Sequence, residues 1–569
     1  MKNANWKKAF TAVLAASMAI TMLASCGNES SSSSSVPDSN ASSAGTSSEA
    51  SLTRVENPVT LKLMITEDPD WALTNDISTW KKVAEETNVS IEWVSMPAAD
   101  AATVYTTTMA AGKSNWPDLV VYKLAQLTTD GEVGAYAALD DLLTEKMPNV
   151  LDVMMQDPAS FITVPSAKDN QIYAIPSIGL SRNARSWMIR GDWLKDLGLE
   201  EPDTIEEFTD CLRAFRDNDP GNAGEFNTPL VIRGGIQSLF VDAMAAYGFN
   251  PTIYTRDPDT GICTLNATQP AFREMLEWLK TLYDEKLIDQ EFATADAARW
   301  ESYINNSYAG ATEDYSVRTD QFTKNLRNPS EDAQKAGAVA DADAELIGLV
   351  PLAGPDGDRG IITNSPMNFS NCVAITNNCK DVDAACALIN YIYSEDGIKL
   401  LSWGEDGVTY NGVDDKGQPN WIEDIGASGQ YSIQKTAQYG IQQPYMSRVI
   451  TDAEVVLAYG DLSMQALEKN RPYWTYPHGP IKWDEATTDS NNTLSTDILP
   501  TIIQGVAEFM TGVRPMTDEG WNAFQKELKD LGVDEMAQQF TDGRNAGNEM
   551  AKERLAAYGM EAPDWVLDS

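Results

Sequence analysis

At 569 residues, with 42 Lys and Arg against 84 Asp and Glu and a single histidine, the chain carries a formal charge of −42. Nucleic-acid binding is excluded as a main role, because it depends on clustered cations that release counterions. A polyanionic solute is disfavoured too, unless a local basic pocket overrides the global field.

The chain opens with Lys2, Lys7 and Lys8, an apolar run from Ala9 to Leu23, and then Leu23-Ala-Ser-Cys26. A basic start, a short apolar stretch and small residues before a cut are the anatomy of an export signal, residues 1–25. The apolar run is too short for a spanning helix of about 20 residues. Leu-Ala-Ser-Cys resembles the bacterial lipobox, which makes Cys26 the lipidated first residue of the mature chain. Two or more acyl chains on one cysteine anchor stably, each buried methylene contributing about 0.8 kcal/mol. Residues 26–54, with an unbroken serine run from Ser30 to Ser35, have almost nothing to bury and read as a linker. A flexible stretch of this kind has an end-to-end distance of roughly 30 Å. Losing the signal removes three lysines and no acid, leaving 39 cations against 84 acids, a mature charge of −45.

The remaining body, about 515 residues, is too long for one core and calls for two or three lobes. Val59, Leu61, Leu63 and Ile65 alternate as a strand, and Asp76 is expected to cap a helix whose apolar residues are Ile77, Trp80, Val83 and Ala84. Val89–Trp93 and Asp118–Tyr122 are two further strands, so the chain begins as an α/β sheet with crossover helices. A second unit opens at Ser186–Arg190 and continues through Thr204-Ile-Glu-Glu207, a capping box. Cys211 shares a helical face with Phe208, Leu212 and Phe215 and reads as a small buried hydrophobe. Five cysteines beyond Cys26 argue against a disulfide framework, with a Cys372–Cys379 pair left open. One histidine, His478, argues against a His-ligated zinc site, and any Ser-His-Asp chemistry would have to use it. No P-loop or Rossmann glycine fingerprint occurs.

Several stretches, in order, resemble one family: Ala111-Gly-Lys-Ser-Asn-Trp-Pro-Asp-Leu-Val120, Gln171-Ile-Tyr-Ala-Ile-Pro176, Ile189-Arg-Gly-Asp-Trp-Leu-Lys-Asp-Leu-Gly-Leu199, Tyr283-Asp-Glu-Lys-Leu-Ile-Asp289, Asn371-Cys-Val-Ala-Ile-Thr376, Gly404-Glu-Asp-Gly-Val-Thr-Tyr410 and Phe509-Met-Thr-Gly512. The chain resembles the extracellular solute-binding protein family 1, in its branch of LipO-like and alginate-binding-protein-like lipoproteins of ABC sugar importers. The resemblance implies a two-lobe, type II periplasmic-binding-protein-like α/β fold with an interlobe ligand cleft and hinge closure. It assigns residues 55–182 and 362–435 to lobe one, and 185–358 and 440–569 to lobe two. It further implies a monomer, lipid-anchored on the extracellular face of the membrane, that delivers its solute to the transmembrane subunits of an ABC permease.

Sugar presents flat C–H faces and hydroxyls that both donate and accept, so its site needs aromatic faces beside carboxylates, amides and Arg. Of 15 Trp and 20 Tyr, the informative ones sit in loops or at element ends. Trp71 follows Glu67-Asp-Pro-Asp70 at the end of the first strand, where open α/β sheets bind ligands. Trp116 follows Asn115, and Trp187, Trp300, Trp403, Tyr410 and Trp474 lie at comparable places. Asp70 and Asn115 are the polar candidates; Arg190 either contacts a hydroxyl or pairs with a neighbouring acid. Trp80, Trp193 and Trp278 read as core.

Relatives of this branch carry a calcium loop where this chain has Asp217-Asn-Asp-Pro-Gly-Asn-Ala-Gly-Glu-Phe-Asn-Thr-Pro229. Asp217, Asp219, Glu225 and Asn227 could supply a weakened oxygen set, but Gly221 and Ala223 stand where oxygen side chains would be expected. The expectation is no tight calcium and no other cofactor. The function expected is capture of a neutral oligosaccharide for an ABC importer, without catalysis. A receptor for a peptide or other polar solute is the first alternative. A surface carbohydrate-active enzyme using two placed carboxylates is the second.

Overall fold

The structure is a computed structural model that describes residues 52–563, apart from 70, 157–159, 180–184, 250–252, 336, 363–366, 416, 427–435 and 476–479. Cys26, Asp70 and His478 lie outside the described residues, as do the proposed signal and most of the linker. Ten strands build the two main sheets: β1 (Val59–Glu67), β2 (Val89–Pro97), β3 (Leu119–Tyr122), β4 (Ile175–Gly179), β5 (Arg185–Arg190), β6 (Leu230–Ile232), β7 (Ala311–Tyr315), β8 (Leu346–Gly348), β9 (Met367–Ile375) and β10 (Val449–Ile450). The helices that matter below are α1 (Ser78–Thr87), α2 (Pro148–Met155), α3 (Ile205–Asn218), α4 (Pro270–Asp284), α5 (Ala297–Asn305), α6 (Arg318–Arg327), α7 (Val382–Ile392), α8 (Glu395–Ser402), α9 (Asp461–Asn470), α10 (Glu485–Met510) and α11 (Val533–Ala557). The chain divides into two compact units, Ser33–Arg182 with Ser365–Gly460, and Asn183–Asn364 with Asp461–Ser569, over their described residues.

The first unit is built on a six-stranded sheet in the order β10-β4-β9-β3-β1-β2. β1 runs parallel to β2 from Val59↔Val89 to Glu67↔Pro97 and parallel to β3 at Leu63↔Leu119, while β9 is antiparallel to both β3 and β4. Parallel neighbours need crossovers, and α1 supplies the first, burying Trp80 and Val83. α1 starts at Ser78 behind an extended Ile77, without a side-chain cap from Asp76; the Asp76 amide instead donates to the Thr74 hydroxyl at 3.2 Å. All four residues of β3 are buried, which is why it reads as an unbroken apolar run.

Residues 440–460 belong to this first unit, not to the second lobe that the resemblance implies for them. β10 pairs with β4 at Val449↔Ile178, and the buried Arg448 guanidinium donates to Glu454 through Nη1 and Nη2, each at 2.8 Å. A two-residue strand has no periodicity to read.

The second unit has a four-stranded sheet in the order β8-β5-β7-β6. β6 and β7 are parallel, and β5 is antiparallel to β7 and β8. α3 carries the capping box: Glu207 N donates to Thr204 Oγ1 at 3.1 Å and Thr204 N donates to Glu207 Oε2 at 3.2 Å. Its face of Phe208, Cys211, Leu212 and Phe215 packs into one core with Trp187, α4 residues such as Phe272 and Leu279, and Ile498, Phe509 and Phe540 of α10 and α11. Among the described residues no helix is long and apolar enough to cross a membrane. Cys372 and Cys379 are both free thiols, and burial pushes Cys379 up to about 11, so it stays protonated near neutral pH.

Candidate functional site

In an open α/β sheet the strands' carboxyl ends collect loops and helix starts, the usual ligand edge. In the second unit that edge is formed by the ends of β6 and β7 and the beginning of the antiparallel β5. The register Ile232↔Glu313 and Arg185↔Tyr315 brings Arg233, Glu313, Asp314 and Arg185 to one place. Glu313 and Asp314 are wholly buried. A buried carboxylate persists as an ion only when paired, and each has an arginine. Arg185 donates through Nε to Glu313 Oε1 at 2.7 Å and also meets Oε2 through Nη2. Arg233 donates through Nη1 to Asp314 Oδ2 at 3.0 Å, and Arg318 Nε lies 3.8 Å from the same oxygen.

Trp300 of α5 is the platform under this pair. It is 1% exposed, donates from Nε1 to Thr312 Oγ1 at 2.8 Å and meets Phe322 edge-on at 5.0 Å. The guanidinium carbons of Arg233 and Arg318 lie 5.7 and 5.4 Å from its ring centroid, within cation–π range. Arg318 also reaches Glu301 at 3.7 Å. On this face Arg233 and Arg318 thus meet Asp314 and Glu301, a charge-balanced set, while Arg185 and Glu313 pair on the opposite face of the strand. The Arg233 side chain is 39% exposed. A guanidinium has five N–H donors in a fixed fork, so an arginine held by a carboxylate on one side still presents donors for hydroxyl oxygens on the other.

The first unit's carboxyl edge holds Glu67, Asp68 and Trp71 after β1, and Tyr122 and Lys123 at the end of β3. Continuing the register Met64↔Val120 puts Glu67 level with Lys123. Glu67 accepts from Ser95 Oγ. The Tyr122 ring stacks on Tyr105 at 4.3 Å, and the Lys123 ammonium sits 5.9 Å from the Tyr122 centroid. The Tyr105 hydroxyl donates to Asp130 at 2.5 Å and lies 2.9 Å from the Tyr136 hydroxyl; burial holds both phenols above their usual range.

Among the described residues, the predicted ligand residues do not gather into one cluster. Trp71 does sit at the strand-end loop, but it is 7% exposed and donates from Nε1 to Ile441 O at 3.1 Å, so it pins the 440–460 segment. Asn115 and Trp116 precede β3 and therefore lie at the amino edge. Their side chains close the local turn, onto Ala111 O at 2.8 Å and Met109 O at 2.9 Å. Trp187 is core, edge-on to Phe208 at 5.3 Å. Arg190 is fully buried and salt-bridged: it donates through Nε to Asp192 at 2.7 Å and through Nη2 to Asp341 at 2.6 Å, over the Trp193 ring. Trp403 is half-buried, edge-on to the buried Tyr410 at 5.9 Å. Trp474 pairs with Ile361 in a short parallel ladder, under Arg471. Among the described residues, Trp300 is the one predicted residue that the structure puts in the charged cluster, as a buried support rather than a stacking face.

Arg185, Arg233, Glu313, Asp314 and Arg318 escaped the sequence reading. A signal was there: Ala311-Thr-Glu-Asp-Tyr315 places two acids side by side in a strand of β type, where burial demands cationic partners. Which arginines answer is a tertiary fact.

The segment 217–229, expected by resemblance to correspond to a calcium loop, turns its oxygens inward. Asp219 Oδ1 accepts from Ala223 N and Oδ2 from Gly224 N, both at 2.8 Å. Asn227 spends its amide donors on Phe215 O and Arg216 O at 3.2 and 3.0 Å. Asp217 pairs with Arg216 at 2.7 Å, which holds its carboxyl below the usual range, and Glu225 is exposed. A Cβ at Gly221 would lie 2.0 Å from Ser307 O. These residues do not fit a six- to eight-oxygen calcium shell as they stand.

The family model for bacterial extracellular solute-binding proteins matches residues 71–399. Lipoprotein LipO of Bacillus subtilis is 25% identical over 280 residues, 48% of this chain and 52% of its own length. This chain therefore spans about half of LipO. The fructooligosaccharide ABC transporter substrate-binding protein FusA of Streptococcus pneumoniae is 26% identical over 412 residues, 69% of this chain and 70% of its own. Among solved structures, an HMO-binding, ABC-transporter-associated solute-binding protein from Bifidobacterium longum infantis aligns with a TM-score of 0.61 at 18% identity, covering 86% of this chain and 98% of that one. At that identity the likeness concerns the fold.

Proposed function

The chain belongs to the bacterial extracellular solute-binding protein family, and from that premise we propose that it captures a neutral oligosaccharide for an ABC importer. The observation that carries the solute class is the Arg233–Asp314–Arg318–Glu301 set on buried Trp300. It is rich in donors, charge-balanced, and placed at a carboxyl sheet edge. Balanced charge offers an anionic solute no net attraction, and fixed N–H groups suit hydroxyl acceptors. The names of FusA and of the Bifidobacterium protein support a sugar. Cys26 would carry the lipid that keeps the chain at the outer face of the membrane, and the transmembrane subunits of a permease would be its partners. The chain acts as a monomer, needs no calcium for capture, and leaves its solute chemically unchanged.

Isothermal titration of the mature chain against neutral fructo-, gluco- and galacto-oligosaccharides tests the reading. One class should bind, and Arg233→Ala should weaken that binding about tenfold, equivalent to about 1.4 kcal/mol. Chromatography of the incubated sugar should return it intact; cleavage products would instead make the chain an enzyme. Binding of peptides with no response to any oligosaccharide would replace the sugar reading with the peptide one.

A further inference from the structure

The first unit contains a second place built for a small amphipathic ligand. A pocket of about 440 Å³ opens between α2 and α8, with Trp403 and Thr451 at its end. That volume falls in the roughly 300–1,000 Å³ range of small-molecule sites. Its floor is apolar and fixed. Val153 and Tyr393 are buried there, and the Tyr393 hydroxyl donates to Pro176 O at 2.6 Å. Half-buried Trp403 is held by a 3.3 Å hydrogen bond from Nε1 to Thr451 Oγ1 and by Tyr410 against its ring.

The rim is polar and regular. α2 and its C-cap present Asp152 and Gln156, and α8 presents Glu395 and Lys399. Each pair is spaced four residues apart, hence on one helical face. Both rows run from a carboxylate to a nitrogen donor. Among the described residues no hydrogen bond engages the side chains of Asp152, Gln156 or Glu395, so their donors and acceptors are available to a ligand. The Lys399 ammonium lies 5.6 Å from the Trp403 centroid, which orients one donor over the indole.

The geometry points to this pocket as an accessory site for a neutral pyranoside, one or two rings long, independent of the arginine cluster in the other unit. A pyranose has a flat C–H face for the indole and aliphatic floor, and equatorial hydroxyls that can accept from Lys399 and Gln156 while donating to Asp152 and Glu395. Two carboxylates against one ammonium exclude uronates. A peptide would look for backbone partners, and this rim consists of side chains. An open pocket that buries one ring binds at millimolar strength.

Fluorine NMR of the mature chain labelled with 5-fluorotryptophan tests the site, with cellobiose, maltose and glucuronate as probes. The Trp403 resonance is identified by its loss in Trp403→Phe and, should that variant fail to fold, by its shift in Lys399→Ala. Cellobiose or maltose should shift it saturably, in wild type and in Arg233→Ala alike. In Asp152→Ala/Glu395→Ala, which alters only exposed side chains, the shift should vanish while the titration of the capture site is unchanged. A Trp403 resonance that no neutral sugar moves overturns the proposal. So does one that moves equally in the double variant, moves with glucuronate, or moves only when Arg233 is intact.

Discussion

At the scale of single residues, buried charge decides most of what distinguishes this chain. Asp320 in α6 accepts the Ser463 amide at 2.7 Å, an acid at the first turn of α9, yet burial holds its carboxyl above the usual carboxylate range of about 4. A raised folded value means the ionised form is penalised in the native state. The penalty is absent below the unfolded pKa and complete once pH exceeds the folded one. Asp320→Asn keeps an acceptor for Ser463 and sheds the charge. It should raise the melting temperature at pH 7, with the gain disappearing in a scan taken below about pH 4. Gly221 is the complementary case, where space rather than charge rules. Restoring an oxygen ligand with Gly221→Asn would drive its Cβ into Ser307 O. Calorimetry should therefore show a lower melting temperature for that variant, and titration of chelator-stripped protein no submicromolar calcium site. A tight site in the variant would show that the loop backbone yields.

Among elements, the two-residue β10 shows how little strand is needed when side chains secure it. Arg448 and Glu454 are both buried and joined by two 2.8 Å bonds, and Glu454 also caps α-helix 452–459 by accepting from Thr451 N at 3.2 Å. Removing one partner leaves an uncompensated buried charge. Arg448→Met should cost about 3–5 kcal/mol in denaturant unfolding, whereas Arg448→Met/Glu454→Leu should lose much less. A double variant as unstable as the single one would mean that the Arg448 guanidinium's bonds to Gln443 O and Val449 O, not the ion pair, hold the segment. The strands and helices with strong local signals, β1, β2, β3 and α3, were legible from alternation, apolar runs and a capping box. β10 was not, because its place depends on β4, some 270 residues earlier in the chain.

For the whole molecule, the proposed lipid at Cys26 would determine where a captured solute can be handed on. Cys26→Ser should leave a folded protein with an unchanged melting temperature that no longer partitions into detergent. A processed, detergent-extractable variant would refute lipid attachment at this cysteine. Charge acts at this scale as well. With 84 acids against 42 cations, long-range repulsion opposes anionic solutes at low ionic strength, so binding of a neutral sugar should vary little between low and moderate salt.

The amino-acid sequence by itself determined the exported character expected of the chain, its family, its α/β class and the faces its best-patterned elements bury. These follow from local periodicity, turn and cap chemistry and motif order, all of which are written within a few turns of chain. It also placed Gly221 and Ala223 where the resemblance leads one to expect oxygen side chains. What only the tertiary structure decided is the use made of the aromatic and charged residues. Trp71, Trp187 and Trp300 were marked by their position at element ends, but each is turned inward to Ile441, Phe208 or Thr312. Arg233 and Arg318 became candidates only because the 0%-exposed Asp314 stands between them. Burial and pairing are set by contacts across the chain, and a residue's own neighbours in sequence do not carry that information.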